Sequence, residues 1–201
     1  MSWLRLNRWW LLALPFALAG TVAATAYNVK VFWYDSGLHH RIAAAEPGEF
    51  VEVTDEYKDA HGATSRTLRV RFGAIGTTPT YPTVDGDRVP PPGLEATYVR
   101  LDFEADPGET LNYCSVTVED EEGRRYDVPD RASQALPCLL DEQGGPSLAI
   151  TKDTERGFVP EGEDRPEAWS VAPVFLLPAD AEIARVLVWW ENPDYAELPA
   201  P

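Results

Sequence analysis

Three histidines, two cysteines and several short acidic runs are the residues of this 201-residue chain with chemistry in their side chains. His39 and His40 are adjacent. Neighbouring residues on a helix or strand point in different directions, so a single metal ion would not take both. His61 stands by itself in a polar stretch. Nucleophilic catalysis by Ser or Cys needs a base at its side, and these three imidazoles are badly distributed for that task. The chain contains no G-x-S-x-G, S-x-x-K, H-E-x-x-H or P-loop pattern. Carboxylates are so numerous that any chosen pair says little about glycosidase chemistry. Asp85-Gly86-Asp87 has the opening of a calcium loop without its closing Glu, which reads as a turn. Glu161-Gly162-Glu163-Asp164 reads as a solvated loop. The expectation is a chain that is not an enzyme, with no catalytic residue, no metal and no cofactor.

Cys114 and Cys138 lack the C-x-x-C spacing of a thiol redox pair, and two sulfurs without a finger-spaced histidine pair make a poor zinc site. An even count in an exported domain reads instead as one disulfide. Closing a loop of that size would add about 3 kcal/mol of stability in the chain-entropy model. Whether such a bond forms depends on compartment, and one element bears on compartment.

That element is Trp9–Tyr27, WWLLALPFALAGTVAATAY, which carries no charge and follows Arg5 and Arg8, with every Asp and Glu after it. Its 19 residues are close to the roughly 20 that a helix needs to cross the hydrocarbon core. Positive charge before the span keeps the N-terminus cytoplasmic. Trp9 and Trp10 on one side, with Tyr27, Trp33 and Tyr34 on the other, match interfacial aromatic belts. Pro15 is tolerable inside a membrane helix, although it removes one backbone donor. The competing reading is a cleaved secretory signal with Trp9–Leu18 as its apolar core and Ala24-Thr25-Ala26 as an A-x-A processing site. Both readings export the same polypeptide. An uncleaved anchor is favoured by the length of the span and its aromatic flanks.

The whole chain carries a net charge of −16; without Arg5 and Arg8, 15 basic residues face 33 acidic ones, or −18. Such a body repels nucleic acid and anionic lipid head groups. The ordinary role of that charge is solubility, with a cationic partner as the other reading. About 160 residues beyond the anchor suffice for one domain with its own core.

Period-two alternation runs through much of that length. Glu49–Thr54 reads as a first strand and Asp55–Ser65 as a loop. Thr67–Phe72 puts Leu68, Val70 and Phe72 on one face against Thr67, Arg69 and Arg71. Gly76–Gly93, with five prolines, is a long excursion of the kind that is functional or mobile. Thr97–Glu104 and Leu111–Glu119 are strands, the second turning at Glu121–Arg124 into Arg125–Val128. Cys138 would tie the loop-rich Arg131–Leu148 back to the strand holding Cys114. Thr151–Glu167 is a polar loop. Ala168–Leu177 is a strand broken at Pro173, which places that point at an edge or bulge. Glu182–Trp190 is apolar enough for a strand covered on both faces. Short strands, frequent turns and no long amphipathic helix after the anchor argue for an all-β sandwich.

TLNYCSVTVEDEEGRRY, followed later by PVFLLPADAEIARVLVWW, resembles the immunoglobulin-like modules of bacterial lipoproteins and secreted antigens. The whole chain resembles single-pass membrane proteins of actinobacteria. The resemblance implies an immunoglobulin-like antiparallel β-sandwich preceded by a single N-terminal transmembrane helix. It implies an accessory or interaction role and supplies no catalytic residues. The expected layout is a cytoplasmic N-terminus (1–8), an anchor and juxtamembrane segment (9–34), a connector (35–48), the sandwich (49–192) and a tail (193–201). The expected role is a membrane-tethered extracytoplasmic module with an envelope protein as partner. The alternatives are a secreted binder released after Ala26, or a cation- or carbohydrate-binding module. Trp169 and Trp190 are the candidate partner surface, although tryptophans in a sandwich are more often core.

Overall fold

The alternation in Thr67–Phe72 becomes, in the computed structural model, part of the inner and outer faces of a 17-residue strand. The structure describes residues 3, 7–31, 37–59, 62–109, 111, 114–129, 137–139, 146–147, 159–160 and 166–200. Helix α1 (Arg8–Val29) precedes strands β1 (His40–Ala44), β2 (Val51–Asp59), β3 (Gly62–Thr78), β4 (Leu94–Glu104), β5 (Ser115–Asp120) and β6 (Arg125–Asp127). There follow β7 (Pro146–Ser147), β8 (Val159–Pro160), β9 (Ala168–Val171), β10 (Val174–Pro178), β11 (Ile183–Trp189) and β12 (Asp194–Pro199). One sheet has the order β1-β12-β11-β5-β6. The other runs β10-β4-β3-β2 with β9 also on β4, and β7 pairs only β8.

The two sheets face each other across an apolar core. Val53, Leu68, Val70 and Phe72 meet Val99, Leu101 and Phe103 on one side; Val116, Val118, Val186, Val188 and Leu198 come from the other. The outward partners on β3 and β4 are Arg69, Arg71, Arg100, Asp102 and Glu104, so one strand supplies both a buried and a charged face. The expected break at Pro173 is real. β9 and β10 are two short edge strands on the same side of β4, and between them Val99 N donates to Pro173 O. Proline has no amide to give the ladder, but its carbonyl still accepts.

Four boundaries differ from the sequence expectation. The connector contains β1 and the tail is β12, which pair in parallel, so the sandwich is not wholly antiparallel. The amides of His39 and His40 both donate to Pro193 O and lead the two segments into register. The described part of Asp55–Ser65 is strand, not loop: β2 and β3 stay paired from Val51↔Val70 to Asp59↔Gly62. β3 also runs on to Thr78, which shortens the Pro-rich excursion. The rest of that excursion folds back through a Tyr81↔Arg88 bridge and a Thr83–Gly86 turn, where Arg88 meets Asp85 at 2.6 Å.

Helix α1 lies outside this core. Its apolar window Trp9–Ala26 has no buried residue. Thr21 and Thr25 return their hydroxyls to the carbonyls of Ala17 and Thr21 one turn back, at 2.9 and 2.8 Å, so the helix backbone satisfies both hydroxyls. Pro15, Ala24 and Ala26 all fall within the helix.

Candidate functional site

The two tryptophans named as a candidate partner surface are core residues. Trp169 is 6% exposed and Trp190 5%. Trp169 stacks on Phe103 with ring centroids 5.4 Å apart, and its Nε1 donates to Cys138 O at 2.7 Å. Trp190 Nε1 donates to Leu111 O at 3.4 Å. A buried indole needs an acceptor for its N–H, and the backbone of the Leu111 and Cys138 segments provides one each. Trp189, on the opposite face of β11, donates to Thr117 Oγ1 at 3.2 Å. Cys114 and Cys138 form the expected disulfide with a Cα–Cα separation of 5.9 Å, within the usual range.

The polar side chains organise on the outer faces instead. Across the five-stranded sheet runs a row of alternating charge: Arg125 on β6, Glu119 on β5, Arg185 on β11, Glu197 on β12 and Arg41 on β1. Each joins the next, at 2.9 Å for Arg125 Nε and Arg185 Nε on Glu119, and at 3.0 Å for Arg185 and Arg41 on Glu197. Burial pushes Glu119 up, but the hydrogen bonds and charges of Arg125 and Arg185 outweigh it and hold the carboxyl below its ordinary value. A carboxyl depressed in the folded state adds stability above its unfolded pKa and loses it as pH falls through the folded one. Glu119→Gln should therefore cost about 1–2 kcal/mol at pH 7 and flatten the acid limb of the stability curve. Urea midpoints from pH 7 down to pH 3 would check both effects.

On the outer face of the other sheet, Asp102 collects three donors: Arg71 Nε at 2.9 Å, Arg100 Nε at 3.1 Å and Ser170 Oγ at 2.6 Å. Burial raises this carboxyl, and Ser170, Arg71 and Arg100 together more than reverse that, leaving it lowered and ionised. Two guanidinium groups against one carboxylate leave a net positive site. It borders an open depression of about 360 Å³ lined by Gly48, Arg71, Phe72, Gly73, Arg100 and Asp102. Arg69 and Arg71 lie 4.8 and 4.7 Å from the ring of Phe50. The arrangement can hold an anionic group; its hydroxyl, Ser170, donates to Asp102, a carboxylate that two guanidinium groups also hold.

A third polar feature is interior. Asp55 on β2 faces Arg66 on β3, Oδ2 to Nε at 2.9 Å, both under 5% exposed. These two atoms are close without being aligned for a hydrogen bond, so the contact is an ion pair. The guanidinium lies 4.0 Å from the Tyr57 ring centre and 5.6 Å from that of Trp190. Burial pushes Asp55 above its ordinary value, Arg66 opposes this, and Glu191 and Asp194 add to the rise. Of the histidines, His40 meets Asp194 at 2.8 Å at the start of β1, and His61 lies outside the described residues.

Among the described residues, no three His, Cys, Asp or Glu side chains converge as a metal site. Glu161–Asp164 lie outside those residues, as do Arg5, Trp33 and Tyr34. The outward positions of Arg71, Arg100 and Asp102 were readable from alternation. Their convergence was not, because it depends on the register that sets β3 beside β4.

No protein-family model matches the chain, and no curated protein matches it. Among solved structures, it is similar to an uncharacterised β-sandwich protein of Clostridium difficile 630, at 11% identity and a TM-score of 0.39, over 80% of this chain and 95% of that one. It is also similar to a conserved hypothetical protein from Bacillus anthracis, at 12% identity and a TM-score of 0.33, over 76% and 97% of the two chains. Likeness at these scores carries neither a fold type nor a function across.

Proposed function

We propose that this chain is a membrane-tethered, extracytoplasmic interaction module of the cell envelope, non-catalytic, with an envelope protein as its partner. The observation that carries the reading is α1: 22 residues with no acidic residue in the first turn and no basic one in the last, its apolar window wholly outside the sandwich. At about 1.5 Å per residue it is about 33 Å long, against a hydrocarbon core of about 30 Å. Left in water, that many exposed apolar side chains would aggregate, whereas lipid covers them. The Cys114–Cys138 bond fits an oxidising compartment. The acidic surface argues against nucleic acid as a partner.

Within this proposal the sandwich is immunoglobulin-like. β3-β4-β10 and β12-β11-β5 stand in the order of strands A-B-E and G-F-C of that fold, and the chain crosses between sheets from β4 to β5 and from β10 to β11. The bridge departs from that fold: it ties the segment before β5 to a loop, where antibody domains join the two sheets.

Protease added to intact spheroplasts should degrade the sandwich and spare a fragment containing α1. Full protection until lysis would overturn the topology. A secreted module cut after Ala26 is the second reading, supported by Ala24-Thr25-Ala26 in the distal half of α1. It requires a mature chain beginning at Tyr27 in the culture supernatant, and a membrane fraction that retains the chain with α1 excludes it.

A further inference from the structure

β2 pairs with β3 only as far as Val51↔Val70, whereas β4 pairs with β3 out to Thr78. From Arg71 to Thr78, among the described residues, β3 is therefore hydrogen-bonded along one side alone. Sheet edges of this kind are ordinarily guarded by charge, proline or a bulge turned away from solvent. Here Gly73-Ala74-Ile75-Gly76-Thr77-Thr78 carries no charge and no proline; a bulge lies at its Gly73 end, between Phe72 and Ala74, and Gly73, Ala74, Ile75 and Thr77 are exposed.

The surroundings suit an added strand. Ile75 pairs with fully buried Val99 but is 41% exposed, so it marks an uncovered margin of the apolar core. The Tyr98 ring lies over Gly76 so closely that any side chain there would collide with it, which brings an aromatic face from β4 across to the open edge. A cross-strand aromatic over a glycine shields the strand, yet it leaves the glycine's backbone groups open to a neighbour. At Gly73 a Cβ would meet Arg100 Cγ at 3.2 Å, so the arginine stem also crosses there.

Direction decides the occupant. A strand antiparallel to β3 has the same sense as β2, so it runs from beside Thr78 toward Gly73. There the chain entering β2, with Gly48 on the rim of the depression, stands in its way. A peptide that must stop at this point is accommodated if it ends there. Its end group faces Arg71 and Arg100, whose two charges outnumber the single carboxylate of Asp102. We propose that the free edge of β3 binds the carboxyl-terminal segment of a partner protein as an added antiparallel strand, with its terminal carboxylate against Arg71 and an apolar side chain over Ile75. Main-chain pairing supplies affinity in such complexes and alternate side-chain sites supply selectivity. Pairing with a second copy is opposed by the net charge of −18 on each body.

This names a partner class for the interaction role above, and the test is independent of topology, so either can fail without the other. The full chain in lipid nanodiscs is panned against random heptapeptides displayed with free carboxyl ends. Enriched sequences are then synthesised as acid and amide forms and titrated by fluorescence anisotropy. The amide should bind about tenfold more weakly. Arg71→Gln should bring acid and amide to equal affinity, and Ile75→Lys should abolish binding of both with the thermal transition retained. No enrichment, indifference to amidation, or equal binding to Ile75→Lys each overturns the proposal. Self-association of the full chain that Ile75→Lys abolishes would assign the edge to a second copy and overturn it as well. The acid–amide comparison on the unaltered chain stays decisive if a variant proves unstable.

Discussion

Arg66→Ala is expected to destabilise the sandwich by about 3–5 kcal/mol, the range for removing one partner of a buried ion pair. The loss has two parts. Asp55, 3% exposed, is left without its counter-charge in a site where burial already raises its pKa and Glu191 and Asp194 raise it further. The space between Tyr57 and Trp190 also loses a flat cation that lay 4.0 and 5.6 Å from their ring centres. Arg66→Lys should recover little, because an ammonium does not reproduce a stacked plane. Replacing both residues, Asp55→Leu with Arg66→Met, should cost far less than Arg66→Ala, since a buried pair exchanged for apolar volume is often neutral or stabilising. The pH dependence separates this pair from the outer carboxylates. A raised folded pKa gives stability that is complete below the unfolded value and is lost as pH rises through the folded one. Asp55 therefore works against Glu119 and Asp102, whose contributions vanish on acidification. In Arg66→Ala the penalty should shrink as pH drops and Asp55 takes up its proton. Urea unfolding of the single and double variants at pH 7 and pH 5 tests this. Equal losses for both, or a penalty that does not change with pH, would show that the charges are not what matters there.

The same pair explains why part of the fold was hidden in the sequence. Leu68, Val70 and Phe72 announced an inner face by alternation, and the structure buries all three. The alternation continues N-terminally in β3 to Arg66 and C-terminally in β2 to Asp55, charged residues that argue for a loop when read singly. They occupy inner positions because they face one another across β2 and β3, a fact of register that a linear reading does not contain. β12 was hidden for a related reason. Asp194, Glu197 and three prolines look like a solvated end, yet Ala196 and Leu198 are fully buried and Glu197 is held by Arg185 and Arg41. Local composition decided what each stretch looked like; partners distant in sequence decided what it became. The Asp102 site falls under the same rule, since Ser170 reaches it from β9, 68 residues away.

Opening the Cys114–Cys138 bond should lower stability by about 3 kcal/mol, chiefly through the freedom regained by the unfolded chain over a separation of 24 residues. A urea dependence of about 2 kcal/mol per molar for a domain of this size turns that into a midpoint lower by about 1.5 M. The native state has its own stake. Cys138 and Leu139 are buried, and Cys138 O accepts the indole N–H of Trp169, which in turn stacks on Phe103. Without the bridge that short segment loses its covalent tie while Trp169 still rests on it, so Trp169 should report the change first. Cys138→Ser and Cys114→Ser should match each other and the reduced parent, and reductant should add nothing to either variant. Tryptophan emission should shift to the red at urea concentrations where the oxidised parent is still native. A midpoint indifferent to reductant would mean that the bond does not constrain the fold. The two sulfurs would then cease to support the proposed export as well, because their support rests on a bridge that forms and stabilises.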